Sequence, residues 1–147
     1  GDTGVSVVLM YSKDLTPRTT LDETQYDDVV KHILDFLRER VAFALSQGIR
    51  KEQIILDPGM GAFISGDGQY SIEVLKRLRE FQIGFPILVG ASRKGFIGKF
   101  MGGVDHSERL SGSLACAAAA YCHGADIFRV HDVKETRRFL DVFRQTL

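Results

Sequence analysis

Apolar residues recur along the chain in two alternating rhythms. Short continuous runs fall at Val5–Met10, Ile54–Leu56, Pro86–Gly90 and Ile127–Val130. Each is rich in β-branched residues and bounded by turn formers, which predicts a strand buried on both faces. Between them apolar residues return at helical spacing. Val29, Ile33, Phe36, Leu37, Val41, Ala44 and Leu45 mark a helix within 25–47, with Gly48 as its stop. Ile72, Leu75, Leu78 and Phe81 mark a second helix over 71–81, with Ser71 as a cap. Residues 94–100, 109–122 and 134–146 read as three more. The order β-α-β-α-β-α-β-α predicts an α/β domain over 1–147, with a parallel sheet covered by helices through right-handed crossovers. The stretch Gly61–Gly68 reads as the flexible loop.

Composition narrows the function classes. The 147 residues suffice for one sizeable core. Lys plus Arg equals Asp plus Glu at 19 each, so no global field favours nucleic acid or an anionic membrane. No apolar run approaches a membrane span, and no signal-peptide pattern is present. Cys116 and Cys122 lie six apart on one helix and face different ways, which argues against a disulfide or a metal pair. The expectation is a soluble cytoplasmic protein with reduced thiols.

Polar residues gather behind the strands. Tyr11, Ser12, Lys13 and Asp14 follow the first; Asp57, Pro58, Gly59 and Gly61 the second; Gly90, Ser92, Arg93 and Lys94 the third; Arg129, His131 and Asp132 the fourth. The carboxyl ends of parallel strands share one edge, where α/β proteins bind ligands. The opposite ends (Gly4, Gln53, Phe85, Asp126) look plain. Arg129 and His131, at i and i+2 on a strand, share a side and suit an anion, or pair with Asp132 or Glu135. Ser92-Arg93-Lys94 precedes a helix start that favours anions, or is a solvated turn. Asp57 either accepts parallel N–H bonds from an amidine-like ring edge or closes an Asx turn before Pro58. Met60, Phe63 and Phe96 either line a pocket or, for Phe96, belong to the core. His32 and His123 read as structural or solvated. Gly90 and Gly95 have P-loop spacing, but Phe96-Ile97 replaces the required Lys and Ser/Thr; Ile64 breaks a dinucleotide fingerprint begun at Gly59. Together these point to an enzyme site for a small, flat, anionic substrate.

LDPGMG (56–61), GASRKGFIG (90–98), ERLSGSLA (108–115) and RVHDVKE (129–135) resemble dihydropteroate synthase in order and spacing. The resemblance runs from about Val5 to the last residue. It implies an eight-stranded (β/α) barrel, of which this chain resembles the C-terminal half. It also implies condensation of p-aminobenzoate with a dihydropterin pyrophosphate, releasing pyrophosphate in folate synthesis. By that likeness Asp57 clasps the pterin donor edge, Lys94 donates to the ring, and Met10 packs on it. Arg129 flanks the ring and, with His131, meets the pyrophosphate; Ser92 lies toward the aminobenzoate. The implied substrate-facing set is Met10, Asp57, Gly61, Phe63, Gly90, Ser92, Arg93, Lys94, Gly95, Arg129 and His131, with Lys94, Arg129 and His131 catalytic. Magnesium is expected to travel with the pyrophosphate, its protein ligand lying outside this chain. The likeness further implies a sulfonamide target that is a homodimer at full length, with no nucleic-acid or membrane partner. Departures are Gly95 where a serine is frequent, Tyr11-Ser12-Lys13-Asp14 after Met10, and Ala62 before Phe63. Four strands cannot close a barrel, so the chain, which starts Gly-Asp-Thr-Gly, reads as a fragment with little activity alone. The alternatives are a pterin-binding corrinoid methyltransferase domain and a non-enzymatic half-barrel assembly partner.

Overall fold

The computed structural model describes residues 4–14, 16 and 19–147. Strands β1 (Val7–Met10), β2 (Ile54–Asp57), β3 (Leu88–Val89) and β4 (Ile127–Phe128) alternate with helices α1 (Val29–Ser46), α2 (Gln69–Lys76), α3 (Gly95–Phe100), α4 (Leu110–Cys122) and α5 (Val133–Phe143). The strands are parallel and follow chain order, as the alternation predicts. Their pairing is uneven. β1 matches β2 from Val7↔Ile54 to Met10↔Asp57, and β3 matches β4 at Leu88↔Ile127 and Val89↔Phe128. Among the described residues a single bridge, Leu56↔Ile87, joins the two ladders. The predicted single sheet is therefore two paired ribbons hinged at that bridge. Pro86 has no N–H to give and contributes only its carbonyl, which accepts from Leu56 N–H at 2.9 Å.

The core lies between the sheet and α1 and α2. Val30, Ile33 and Leu37 of α1 are fully buried, as are Ile54 and Leu56 of β2. Val74, Leu78 and Phe81 close it from α2 and the turn beyond. Each such side chain contributes about 1.5–3 kcal/mol by leaving water. α1 starts later than the spacing suggests because Asp28 caps it, accepting from Lys31 N–H at 2.9 Å. Ser71 is not a cap. It is buried inside α2, and its Oγ accepts from Gly61 N–H at 2.8 Å; Asp67 Oδ1 takes the Gln69 N–H instead. That bond also corrects the loop expectation: Ile64 and Ser65 are buried, and Gly66 N–H reaches Asp22 O at 3.0 Å, so 61–68 is packed.

The plain amino ends of the strands are clipped rather than open. Gln53 Nε2 donates to Val5 O at 2.8 Å, and Asp126 Oδ2 accepts from Ile87 N–H at 2.8 Å. Polar groups there satisfy the backbone, which leaves the carboxyl ends for chemistry. Val8 on the outer edge of β1 is 44% exposed, as expected for an uncovered sheet edge. Cys116 and Cys122 are both free. No helix among the described residues is long and apolar enough to cross a membrane.

Candidate functional site

β2 ends by delivering Asp57 to the carboxyl edge. Its carboxylate is 1% exposed, and its two oxygens do different work. Oδ1 accepts from Gly59 N–H at 2.8 Å, closing the Asx turn over Pro58. Oδ2 accepts from Arg129 Nη2 at 3.2 Å. The Asx turn is thus formed, and the carboxylate keeps further lone pairs for a ligand. Burial pushes its pKa up; the Gly59 N–H, Arg129 and Lys94 oppose that. Gly59 itself must be glycine, with φ +73° and space for a Cβ closed by Tyr11 O at 2.6 Å.

β3 ends in the Ser92-Arg93-Lys94 turn, which is held by force of contacts. Arg93 is the non-glycine residue with positive φ, 54°, among those described. Its N–H donates to Ser113 Oγ at 2.8 Å, and its carbonyl accepts from Arg109 Nη1 at 3.1 Å. Its guanidinium grips Asp132 with two bonds, Nε to Oδ2 at 2.8 Å and Nη2 to Oδ1 at 2.6 Å. These contacts over-determine the left-handed conformation. Arg93, expected to face substrate, lines neither cavity described below and is a strut of the turn. The anticipated partner of Arg129 or His131, Asp132, is taken by Arg93.

The turn sends Lys94 and Ser92 to separate tasks. Lys94 Nζ lies 4.3 Å from the Phe63 ring centroid, a cation–π contact. Burial first, and the Arg129 charge second, lower its pKa, with Asp57 opposing. Ser92 is buried and bonds to His131: it accepts from His131 N–H at 3.2 Å, and His131 Nδ1 lies 3.1 Å from Oγ.

β4 stops at Phe128, so Arg129 and His131 lie just beyond the strand rather than on it. They still face one cavity, of about 330 Å³, lined also by Phe63, Gly90, Ser92, Lys94 and Val130. Gly90 makes room for Arg129 to cross β3. A Cβ there would meet Nη2 at 2.8 Å and Nε at 3.0 Å. Asp57 sits behind Arg129, and Met10 Sδ is 4.0 Å from Arg129 Nη2. A second cavity of about 550 Å³ shares Phe63 and Lys94 as its wall. Gly61, Gly95, Phe96, Lys99 and Arg109 line it too, with no carboxylate among its described lining. Arg109 donates to the carbonyls of Val104 and Arg93, and Lys99 to that of Gly66; neither pairs with a carboxylate among the described residues. A Cβ on Gly95 would meet nothing within 4 Å. Met60 is core, Phe96 is buried yet borders this cavity, and Phe63 borders both.

Sequence reasoning gave no separate role to Arg109 and Ser113, and paired Asp132 with Arg129 or His131; with Arg93 these three position the turn. The signal was present: Arg109 and Ser113 stand four apart, on one face of α4 and its entry, and Ser113 Oγ donates to Arg109 O at 2.7 Å. No trio of His, Cys, Asp or Glu among the described residues is placed to hold a metal. The Asp57 oxygens face Arg129 and Gly59 N–H, surroundings that repel a cation. The residues described do not fit a resident magnesium cage.

Residues 1–131 match the family model described as pterin binding enzyme. Dihydropteroate synthase of Escherichia coli (strain K12) is 44% identical over 147 residues, which cover 99% of this chain and 51% of that protein. Dihydropteroate synthase from Thermus thermophilus, solved in complex with 4-aminobenzoate, superposes at TM-score 0.89 with 36% identity, covering 98% of this chain and 55% of that one. The Xanthomonas albilineans enzyme in complex with 7,8-dihydropteroate gives TM-score 0.83 with 35% identity, over 97% and 50%. The chain thus spans about half the length of the curated relatives it matches. Its parallel βα units form half of a TIM-type barrel.

Proposed function

The chain belongs to the pterin binding enzyme family, and from that premise we propose that residues 1–147 form a pterin-binding domain of a dihydropteroate synthase. The reaction joins p-aminobenzoate to 6-hydroxymethyl-7,8-dihydropterin pyrophosphate. The C–O bond at the pterin methylene breaks, and pyrophosphate leaves with the electron pair. The arylamine nitrogen then bonds to that carbon and gives up a proton to solvent. The protein supplies orientation and anion stabilisation.

The observation that carries this reading is the pair of cavities sharing the Lys94–Phe63 wall. One side offers a buried acid behind two bases, Asp57 with Arg129 and His131. That suits a heterocycle with a donor edge and an anionic tail. The other offers aromatic surface with cations that pair with no carboxylate among the described residues, which suits an aryl carboxylate. Lys94 borders both. Gly95 contributes backbone and open space where a side chain would add a donor. Magnesium enters with the pyrophosphate as part of that substrate. The full-length enzyme is a cytoplasmic homodimer and a sulfonamide target in this reading, without nucleic-acid or membrane partners.

The relatives named dihydropteroate synthase at 40–44% identity support this over a corrinoid methyltransferase. So does a base pair suited to a leaving pyrophosphate. The test is titration calorimetry with the dihydropterin pyrophosphate and with p-aminobenzoate, alongside an assay for 7,8-dihydropteroate. Binding of the pterin ligand, with turnover restored or raised when the other half of a homologous barrel is supplied, is the expected result. A chain that binds neither ligand in either setting removes the reading.

A further inference from the structure

Ser92 lines the smaller cavity and directs its hydroxyl at His131. It is 6% exposed, and its Oγ meets two atoms of one residue, His131 N at 3.2 Å and His131 Nδ1 at 3.1 Å. A serine hydroxyl has one proton and two acceptor lone pairs. The His131 N–H occupies one lone pair. Among the described residues His131 Nδ1 is the acceptor within reach of the hydroxyl proton. A neutral imidazole accepts at one nitrogen and donates at the other. If Nδ1 accepts, the ring proton is on Nε2, the nitrogen without a partner among the described residues.

We propose that Ser92 is a positioning residue that fixes neutral His131 as the Nε2–H tautomer. The proposal deepens the function above and rests on His131 facing an anion there. The tautomer presents a donor from an uncharged ring to a cavity already walled by Lys94 and Arg129. The other groups around the ring are His106, edge-on at 5.4 Å between centroids, and Asp132, which is ion-paired with Arg93. A proton on Nδ1 would face the buried hydroxyl and leave the Ser92 proton without an acceptor, which a buried polar group resists.

The experiment is ¹H–¹⁵N long-range correlation on histidine-labelled protein, at a mildly alkaline pH where imidazoles are neutral. His131→Gln assigns the signal. The wild type should show Nδ1 as acceptor and Nε2 protonated. Ser92→Ala should mix the tautomers and weaken binding of inorganic pyrophosphate about fivefold, the worth of one ordinary hydrogen bond. Ser92→Thr should restore both. A wild-type ring protonated at Nδ1 overturns the proposal, and so does a Ser92→Ala spectrum identical to wild type. The wild-type spectrum decides even where a variant fails to fold. Wild-type protein with the stated tautomer but no pyrophosphate binding would support the positioning and sink the anion assignment instead.

Discussion

Arg129 Nη2 reaches Asp57 Oδ2 at 3.2 Å, joining the end of β4 to the end of β2 across the mouth of β3. The pair is lopsided. The Asp57 side chain is 1% exposed and that of Arg129 is 56% exposed. The acid is held in the interior, while much of the base faces solvent.

That arrangement sets a pH limb. Pterin binding through two N–H donors needs Asp57 ionised, and burial has pushed its pKa above the usual carboxylate range. Binding should fall as pH drops through that raised value. Arg129 is one of the groups holding the pKa down, so Arg129→Ala should move the limb to higher pH. The same variant should lose more affinity for a pyrophosphate-bearing pterin than for a bare one. Calorimetry of both ligands across the acid range checks this. An unmoved limb, or equal losses, would contradict the role given to Arg129.

Asp57→Asn should separate stability from binding. A carboxyl with raised pKa favours the fold below the ordinary carboxylate range and loses that benefit as pH rises through the raised value. At neutral pH the ionised form therefore opposes folding. Asparagine keeps an oxygen for Gly59 N–H and removes the buried charge, so the midpoint of thermal unfolding should rise at neutral pH and not in acid. Pterin affinity should fall by about 1.5–3 kcal/mol, because an amide donor replaces a charged acceptor. A lowered midpoint at neutral pH with pterin affinity intact would refute both halves.

Gly90→Ala tests whether Arg129 needs its path. The added Cβ would come within 2.8 Å of Nη2, but the Arg129 side chain is half-exposed and can move into solvent. Unfolding free energy should change by less than about 1 kcal/mol. The acid limb of pterin binding should shift as in Arg129→Ala. Denaturant titration paired with the pH series distinguishes this from global damage. Alanine with a wild-type limb would show that Arg129 reaches Asp57 by another route.

Much of this is legible in the amino-acid sequence. Continuous apolar runs separated by helical repeats require parallel strands, and parallel strands align their carboxyl ends. That alone brings Asp57, Lys94, Arg129 and His131 to one edge. Strand lengths were not legible: β4 is only Ile127–Phe128, although Arg129 N–H still donates to Val89 O at 3.0 Å. Ser71 looked like a cap because composition cannot show that Gly61 N–H needs an acceptor inside the fold. Arg93 read as a ligand contact because its charge is visible in sequence, while the carboxylate that consumes it lies 39 positions away.

The strut role of Arg93 makes its own prediction, an inversion of the usual order of alanine and glycine. At an ordinary position glycine is the less stable choice, since it loosens the unfolded chain. Arg93 sits at φ 54°, where a side chain strains the backbone and glycine does not. Arg93→Ala and Arg93→Gly both lose the bonds to Asp132, so their difference isolates the backbone. Glycine should be the more stable of the two by about 1–2 kcal/mol. Removing the guanidinium also frees Asp132, whose pKa Arg93 holds below the usual range. The stability this gives is present above the ordinary carboxylate pKa and lost as pH falls through the lowered one, so both variants should be penalised at neutral pH and less so in strong acid. Thermal unfolding of the three proteins over that range tests both statements. Alanine matching or exceeding glycine would mean that the turn relaxes to negative φ once its clamp is gone. Lys94 and Ser92 would then owe their directions to Asp132 rather than to the chain's local geometry.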